Sequence, residues 1–338
     1  MKRGLALIGV ALFALLAVAS ASADTTITGA GSTFVSPLVS VWTPALGSAF
    51  GDTVNYSAVG SGAGIQSISS RQVDFGASDA PLTPDQAAAC NGCAQIPWAL
   101  SATSVAYNVP GAPVHLHLSG PVLAKIFLGQ ISNWNDPAIK ALNKGANLPD
   151  LKITPIFRSD GSGTTYNFTD YLSAISPTWK SKVGNATSVN FPTGLGARGS
   201  SGVAGLVSRT DGGITYVDVA FALKNHIKFA AVENAAGKFL FPSLRRITAA
   251  AAAFPKVPSN NEMHIVNPPK SAPLAYPIST YSYVIVPKQT SHAPELRKMI
   301  FWALTQGQQA KYTAPLLFVP LPKTVLVASE KTLKTIHT

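Results

Sequence analysis

The chain has 338 residues, of which 46% are apolar and 12% charged, enough apolar material for sizeable cores and more than one typical domain of ~100–200 residues. Its formal net charge of +11 comes from dispersed lysines and arginines, and no basic run exceeds two residues, as at Arg245-Arg246. Nucleic-acid binders concentrate such charge on one face or helix, so that class is disfavoured; diffuse positive charge fits attraction of small anions.

Lys2 and Arg3 precede an apolar run from Leu5 to Val18, and Ala21-Ser22-Ala23 gives a small-x-small cleavage signature. Residues 1–23 therefore read as a secretory signal peptide. Cleavage after Ala23 leaves 315 residues and, by removing Lys2 and Arg3, lowers the net charge to +9. No cysteine for a lipid anchor stands at the cleavage site, and no later apolar run approaches the ~20 residues of a membrane span. A soluble, exported product is expected, placed in the periplasm.

From there short β-like and helix-like runs alternate. Thr25–Thr28 is a strand candidate. In the following stretch Phe34, Leu38, Trp42 and Leu46 recur every four residues, the spacing of one face of a helix. Pro37 falls in its first turn, where a missing N–H is tolerated, and Pro44 is expected to kink or end it. "TVNYSAVG" reads as a strand, "AGIQSISS" as a short helix and "QVDFGAS" as a buried strand. Cys90 and Cys93 in "CNGC" lack the second pair a zinc ribbon needs and read as a local structural disulfide in an oxidising compartment. His115 and His117 alternate as on a strand and are expected to face solvent rather than a metal.

Further along, 152–158 reads as a strand, "GTTYNFTDYLSA" as a helix and "GGITYVDVAFAL" as a strand running into a helix. "GLGARG" (194–199) formally matches a dinucleotide fingerprint, but no clear strand precedes it, so it reads as a loop leading into the helix "SSGVAGLVSR". The alanine run before Phe254 suits a helix interior. Pro-rich pieces at 255–258 and 268–277 bracket a crossover; "YSYVIVPK" and "APELRKMIFWALTQGQQAKY" close the chain as strand and helix. This alternation implies an α/β architecture with helices packed on mainly parallel sheets.

Glycine–hydroxyl clusters occur where a strand should end and a helix begin: "GAGSTF" (29–34), "VGSGAG" (59–64) and "RSDGSGTT" (158–165). Helix N-termini present unpaired N–H groups and a positive dipole end, so such clusters suit an anion. In sheets of this class ligands bind at the carboxyl ends of the strands. Serine and threonine are also ordinary helix caps, and capping is the default role of Asp79 in "VDFGASDAP". No Walker A loop, Gly-x-Ser-x-Gly elbow or metal-ligand spacing is present, and no nucleophile has an evident base. Neither a cofactor nor a metal is expected.

"TGAGSTFVSPL", "VDFGASDAPLT", "RSDGSGTTYNF", "FPTGLGARGSSGVAGLV" and "GGITYVDVAFA" occur in this order. Together they resemble the PstS family of exported phosphate-binding proteins over essentially the whole mature chain. The resemblance implies a two-lobed periplasmic-binding-protein fold of type II, each lobe a central, mainly parallel sheet flanked by helices, with the ligand cleft between them. Lobe I would comprise 24–105 and 277–338, and lobe II 106–276. It implies a receptor and not an enzyme: one that captures inorganic phosphate, delivers it to the permease subunits of an ABC transporter, and works as a monomer. Thr33, Phe34, Ser61, Asp79, Arg158, Ser162, Gly163 and Thr164 match the family's phosphate contacts. Ser32 and Asp160 match the residues behind them, Asp160 holding Arg158. Gly62-Ala63-Gly64 departs from a more serine-rich family pattern. Asp79 would accept the proton that phosphate carries and sulfate lacks. A receptor for another tetrahedral oxyanion and an exported phosphatase on the same scaffold are the alternatives.

Overall fold

The computed structural model of the chain describes residues 25–338; the signal-peptide reading of 1–23 lies outside them. In chain order the strands are β1 (Thr26–Gly31), β2 (Thr53–Ala58), β3 (Phe75–Ser78), β4 (Cys93–Asn108), β5 (His117–Leu118) and β6 (Thr154–Arg158), then β7 (Leu195–Ala197), β8 (Gly213–Asp218), β9 (Lys228–Phe229), β10 (Ala231–Glu233), β11 (Phe239–Leu240) and β12 (Ser279–Pro287). Nine of them form one curled sheet in the order β2-β1-β3-β12-β4-β8-β6-β7, with β9 also on β4. A three-stranded sheet, β11-β10-β5, lies apart.

The architecture is the two-lobed α/β fold, and β4 runs through both lobes. Its residues 93–102 pair antiparallel with β12, whereas 103–108 pair antiparallel with β8. On one side β1, β2 and β3 are mutually parallel; on the other β6, β7 and β8 are. Parallel neighbours send all their carboxyl ends the same way, so each lobe gathers its strand-to-helix loops at one edge. Opposite Pro97 and Ala99 of β4 the ladder slips between Ser282 and Tyr283, a bulge that leaves Trp98 as the extra residue.

Helix Ser36–Phe50 buries Leu38, Trp42 and Leu46, with Phe34 just ahead of it, as the four-residue spacing predicts. Trp42 packs edge-on against Trp98 and Trp302, and Phe75 against Trp98, forming an aromatic core under the first lobe. Phe127, Phe168 and Tyr216 form the counterpart under the second, with Phe127 edge-on to Phe168 and Phe168 stacked on Tyr216. Pro44 does not end its helix, which continues to Phe50. It brings no N–H to the Ser40 carbonyl, but both residues are exposed, so solvent can serve that acceptor.

The 194–199 segment is also not purely a loop. Leu195–Ala197 pair in parallel with Ile156–Arg158, and only then does helix Gly199–Ser208 begin. Cys90 and Cys93 form the local disulfide. The Arg71 guanidinium pins that turn by donating to the Cys90 and Asn91 carbonyls. His117 is exposed and His115 half-buried; their rings stack on Phe239 and Phe241. Among the described residues no helix is long and apolar enough to cross a membrane.

Candidate functional site

Four helices begin in one cleft between the lobes. Two follow β1 and β2 in the first lobe, and two follow β6 and β7 in the second. In the first lobe, β1 ends at Gly31, whose φ of +146° and close approach to Ala77 leave no room for a side chain. That tight exit turns Ser32 inward. The Ser32 hydroxyl oxygen accepts the N–H groups of Phe34 (3.0 Å) and Val35 (3.3 Å) and directs its own hydrogen at Asp79. Asp79 follows β3 and is 2% exposed. Ser32 Oγ lies 2.7 and 2.6 Å from its two oxygens, and Ser282 donates to Oδ1 at 2.7 Å. Ser61, the first residue of helix Ser61–Ser69, accepts the Asp79 N–H at 3.3 Å.

The second lobe supplies the opposite wall. Arg158 ends β6 and is 5% exposed; its Nε meets Asp160 Oδ1 at 2.7 Å and its Nη2 meets Oδ2 at 2.5 Å. Asp160 Oδ1 also accepts the Gly199 N–H, tying the fork to the next helix. Ser162 caps helix Gly163–Ile175 by accepting the Thr165 N–H. Thr164 Oγ1 is buried and has no hydrogen-bond partner, a hydroxyl left over for something inside the cleft.

The walls touch. Gly163 N–H donates across the cleft to Ser61 Oγ at 3.1 Å, and Gly62 N–H to the Gly161 carbonyl at 2.9 Å. Thr33 Oγ1 lies 2.8 Å from Ser200 Oγ and accepts the Ser200 N–H. Ser61 Oγ thus accepts two N–H groups, one from each lobe, and keeps its own hydrogen for donation. This is a closed arrangement.

The electrostatics follow from burial. Burial pushes the Asp79 carboxyl up to about 6, against the pull of the Ser32, Ser282 and Ser61 hydroxyls and of the Arg158 charge. For Asp160 burial works in the same sense, but the Arg158 guanidinium and the Gly199 N–H outweigh it and hold the carboxyl below its ordinary value. The cleft therefore combines one fixed cation already paired, several O–H and N–H donors, four helix N-termini, and one buried carboxylate that accepts. Such a set suits an oxyanion that brings a proton of its own.

All ten sequence-predicted positions fall in this cluster. The Phe34 N–H is donated to Ser32, and its ring packs edge-on against Phe318. The sequence reading missed Ser282, Gly199 and Ser200. For Gly199 and Ser200 a signal existed, since "GSSG" repeats the glycine–hydroxyl pattern of the other clusters at a helix start. For Ser282, in mid-strand and distant in sequence from Asp79, there was none. Among the described residues no group of three or more His, Cys, Asp or Glu is placed to hold a metal ion.

Comparisons with known proteins agree with this geometry. A family model described as PBP superfamily domain matches residues 17–306. The phosphate-binding protein PstS of Xylella fastidiosa (strain Temecula1) is 41% identical over 300 residues, 88% of this chain and 81% of the relative. The phosphate-binding protein PstS of Pasteurella multocida is 41% identical over 306 residues, 89% of this chain and 88% of the relative. Among solved structures, the phosphate-binding protein of Stenotrophomonas maltophilia superposes with a TM-score of 0.70 at 20% identity, over 90% of this chain and 93% of that one. The fold, the cleft and these relatives lead to one conclusion: the chain belongs to the PstS family of phosphate-binding proteins, within the PBP superfamily.

Proposed function

We propose that this chain is an exported receptor that closes its lobes around one inorganic phosphate ion and delivers it to the permease subunits of an ABC transporter. The observation that carries the reading is Asp79, a buried carboxylate held by the Ser32 and Ser282 hydroxyls in a cleft where four helices begin. A carboxylate there repels a fully ionised oxyanion, yet it accepts the P–O–H that phosphate retains near neutral pH. Membership of a family whose relatives are named phosphate-binding proteins supports the same ligand.

In this reading Thr33, the Phe34 backbone, Ser61, Asp79, Arg158, Ser162, Gly163 and Thr164 contact the ion. Ser32 orients Asp79, and Asp160 fixes the Arg158 fork. The lobes divide at the strand shared between them, with 24–105 and 277–338 on one side and 106–276 on the other. Residues 1–23 direct export and are removed, leaving a periplasmic monomer. The chain performs no chemistry on its ligand. Ser32 already spends its hydrogen on Asp79 and its lone pairs on two N–H groups, so it makes a poor nucleophile.

Titration calorimetry of the mature protein with phosphate, sulfate, arsenate and molybdate tests this. One phosphate per chain with sulfate and molybdate far weaker is expected; a preference for sulfate or molybdate would overturn the assignment. Turnover of a chromogenic phosphoester by clean protein would overturn the non-enzymatic reading.

A further inference from the structure

Residues 260–263 fall by chain position with the second lobe, yet their bonds run to the first. The Gln95 side chain of β4 donates to the Asn260 carbonyl at 2.8 Å. Asn261, 3% exposed, donates to the Gln95 carbonyl and to Thr332 Oγ1, both at 2.9 Å, and Thr332 lies on helix Lys323–Leu333. The Met263 N–H donates to the Tyr283 hydroxyl of β12 at 3.0 Å. Gln95 and Tyr283 stand on the part of the β4–β12 ladder that serves the first lobe. The segment is a strap bolted to that lobe.

At the end of the strap His264 meets the second lobe. Its Nε2 lies 3.0 Å from Oε1 of Glu262, on the strap itself, and Asn260 donates to the other Glu262 oxygen. Its Nδ1 lies 3.5 Å from Asp170 Oδ2 and 3.4 Å from the Tyr166 hydroxyl. Tyr166 and Asp170 stand one turn apart on helix Gly163–Ile175, the helix that starts at the anion cleft. Between them Asn167 donates to Thr103 and Ile278, where β4 changes partner and β12 is about to begin.

We infer that His264 is a positioning residue for phosphate capture: it clasps the cleft helix Gly163–Ile175 to a strap of the first lobe and so favours the closed arrangement. The inference rests on the phosphate reading, and His264 itself touches no ligand.

The clasp needs the charged ring. A protonated imidazole carries a hydrogen on each nitrogen, and both carboxylates only accept, so it serves strap and helix together; a neutral ring has one hydrogen and serves one side. Asp170, with Glu262, holds the imidazole up to about 9 against the pull of burial. Asp170 and Tyr166 face it from the helix and Glu262 from the strap, and Lys256 lines the same groove. Burial and the two carboxylates push the Tyr166 phenol well above its ordinary value, so it stays neutral over this range. The clasp is therefore fully present below the ordinary imidazole value and is lost as pH rises through about 9. A ligand enclosed by two walls is held only by the closed fraction, so losing the clasp weakens apparent affinity.

The test is phosphate calorimetry on wild type, His264→Ala, His264→Arg, Asp170→Asn and the His264→Ala/Asp170→Asn double variant. Matched low-salt buffers at about pH 7 and about pH 10 stand either side of the His264 value. Phosphate ionisation is common to all these proteins and cancels in ratios of affinity. The His264 side chain is 46% exposed, so the clasp is worth a surface ion pair. At the acid end His264→Ala and Asp170→Asn should each bind roughly threefold to fivefold more weakly than wild type, and the double variant no more weakly than either. At the alkaline end wild type should fall to the level of His264→Ala, whereas His264→Arg, charged at every pH, should keep its affinity and overtake wild type. Ligand-free His264→Ala should melt with wild type, because the clasp acts on closure. A lower ligand-free melting temperature with unchanged affinity would reduce His264 to a structural role and overturn the inference. Affinity ratios that stay constant with pH would overturn it too, leaving phosphate binding intact. Wild type that binds no phosphate at pH 7 would overturn the functional reading and the clasp with it.

Discussion

The Ser32 hydroxyl lies 2.7 Å from Oδ1 and 2.6 Å from Oδ2 of Asp79, sharing one hydrogen between both oxygens of a carboxylate with almost no solvent contact. Ser32 can hold that position because its own lone pairs are occupied by the Phe34 and Val35 N–H groups. With Ser282 on Oδ1 as well, the carboxylate is oriented and partly compensated, but burial still leaves it near 6. It is ionised at neutral pH and free to accept one more proton from a ligand.

Asp79→Asn should therefore narrow the preference for phosphate over sulfate. In wild type sulfate faces a carboxylate with no proton between them, a mismatch of ~1–3 kcal/mol or more for a charged group. An amide removes the repulsion and can donate. Burial raises the Asp79 carboxyl to about 6, so below that value it is neutral and can donate to sulfate. Discrimination in wild type should shrink as pH falls through about 6, and the Asn variant should lack that dependence. Competition calorimetry reads both, and unchanged discrimination in the variant removes Asp79 from this role.

Asp160→Asn should cost stability more than binding. The Arg158–Asp160 fork is nearly solvent-free, with side chains 2% and 9% exposed. Removing one partner of a buried ion pair costs about 3–5 kcal/mol, because the other charge is left unpaired. Phosphate in the cleft would supply a replacement anion, so the deficit measured by denaturant unfolding should be smaller with phosphate saturating than without it. By linkage, the variant should then bind phosphate no more weakly than wild type. An equal deficit in both conditions would mean that Arg158 does not face the ligand.

Gly163→Ala isolates closure. A Cβ at Gly163 would stand 2.7 Å from the Asp79 N and Cβ atoms and from Ser61 Oγ, all on the opposite wall. Within its own helix alanine is the better residue by ~0.5–1 kcal/mol, so the ligand-free protein should melt no lower than wild type. Phosphate affinity should nevertheless fall about 100-fold, equivalent to losing ~3 kcal/mol of closing contacts. Small-angle scattering should show wild type compacting on phosphate addition and the variant staying extended, since closure about a hinge brings these walls together. Compaction of the variant to the wild-type dimension would show that the clash is absorbed.

Strand-to-helix units and their loops were legible in the sequence because each is local. Phe34 to Leu46 at four-residue spacing, the glycine–hydroxyl clusters and "SDGSGT" all carry their geometry within a dozen residues. Strand β4 was not legible. It carries Pro97 and several hydroxyl residues, is buried along nearly its whole length, and serves one lobe with its first half and the other with its second. Neither alternation nor a continuous apolar run marks such a segment. The aim of Ser282 at Asp79 depends on β12 pairing with β3, two strands that meet only after folding. Gly199 and Ser200 were visible as a pattern, but Gly199 meets Asp160 only through the tertiary packing of the second lobe, and Ser200 reaches Thr33 only when the lobes close. Pro44 does not end its helix because the lost hydrogen bond falls on an exposed face, where solvent can serve the Ser40 carbonyl.

The buried carboxyls predict how stability responds to pH. Asp79 and Asp218 are raised on folding, to about 6 and about 8. The folded state thus favours their neutral forms, and their contribution is fully present below an ordinary carboxylate value. It is lost as pH rises, through about 6 for Asp79 and about 8 for Asp218. Asp160 runs the opposite way; it is lowered on folding, so it supports the fold above its unfolded value and stops doing so only in acid. Asp218→Asn keeps the acceptor that caps helix Val219–Lys224 and cannot ionise. The variant should gain at least ~2 kcal/mol over wild type in denaturant unfolding on the alkaline side of the Asp218 value. That gain should vanish as pH falls toward the ordinary carboxylate range, because there the wild-type residue is neutral in both states. A gain that is the same at both ends would mean that Asp218 is not held neutral by the fold.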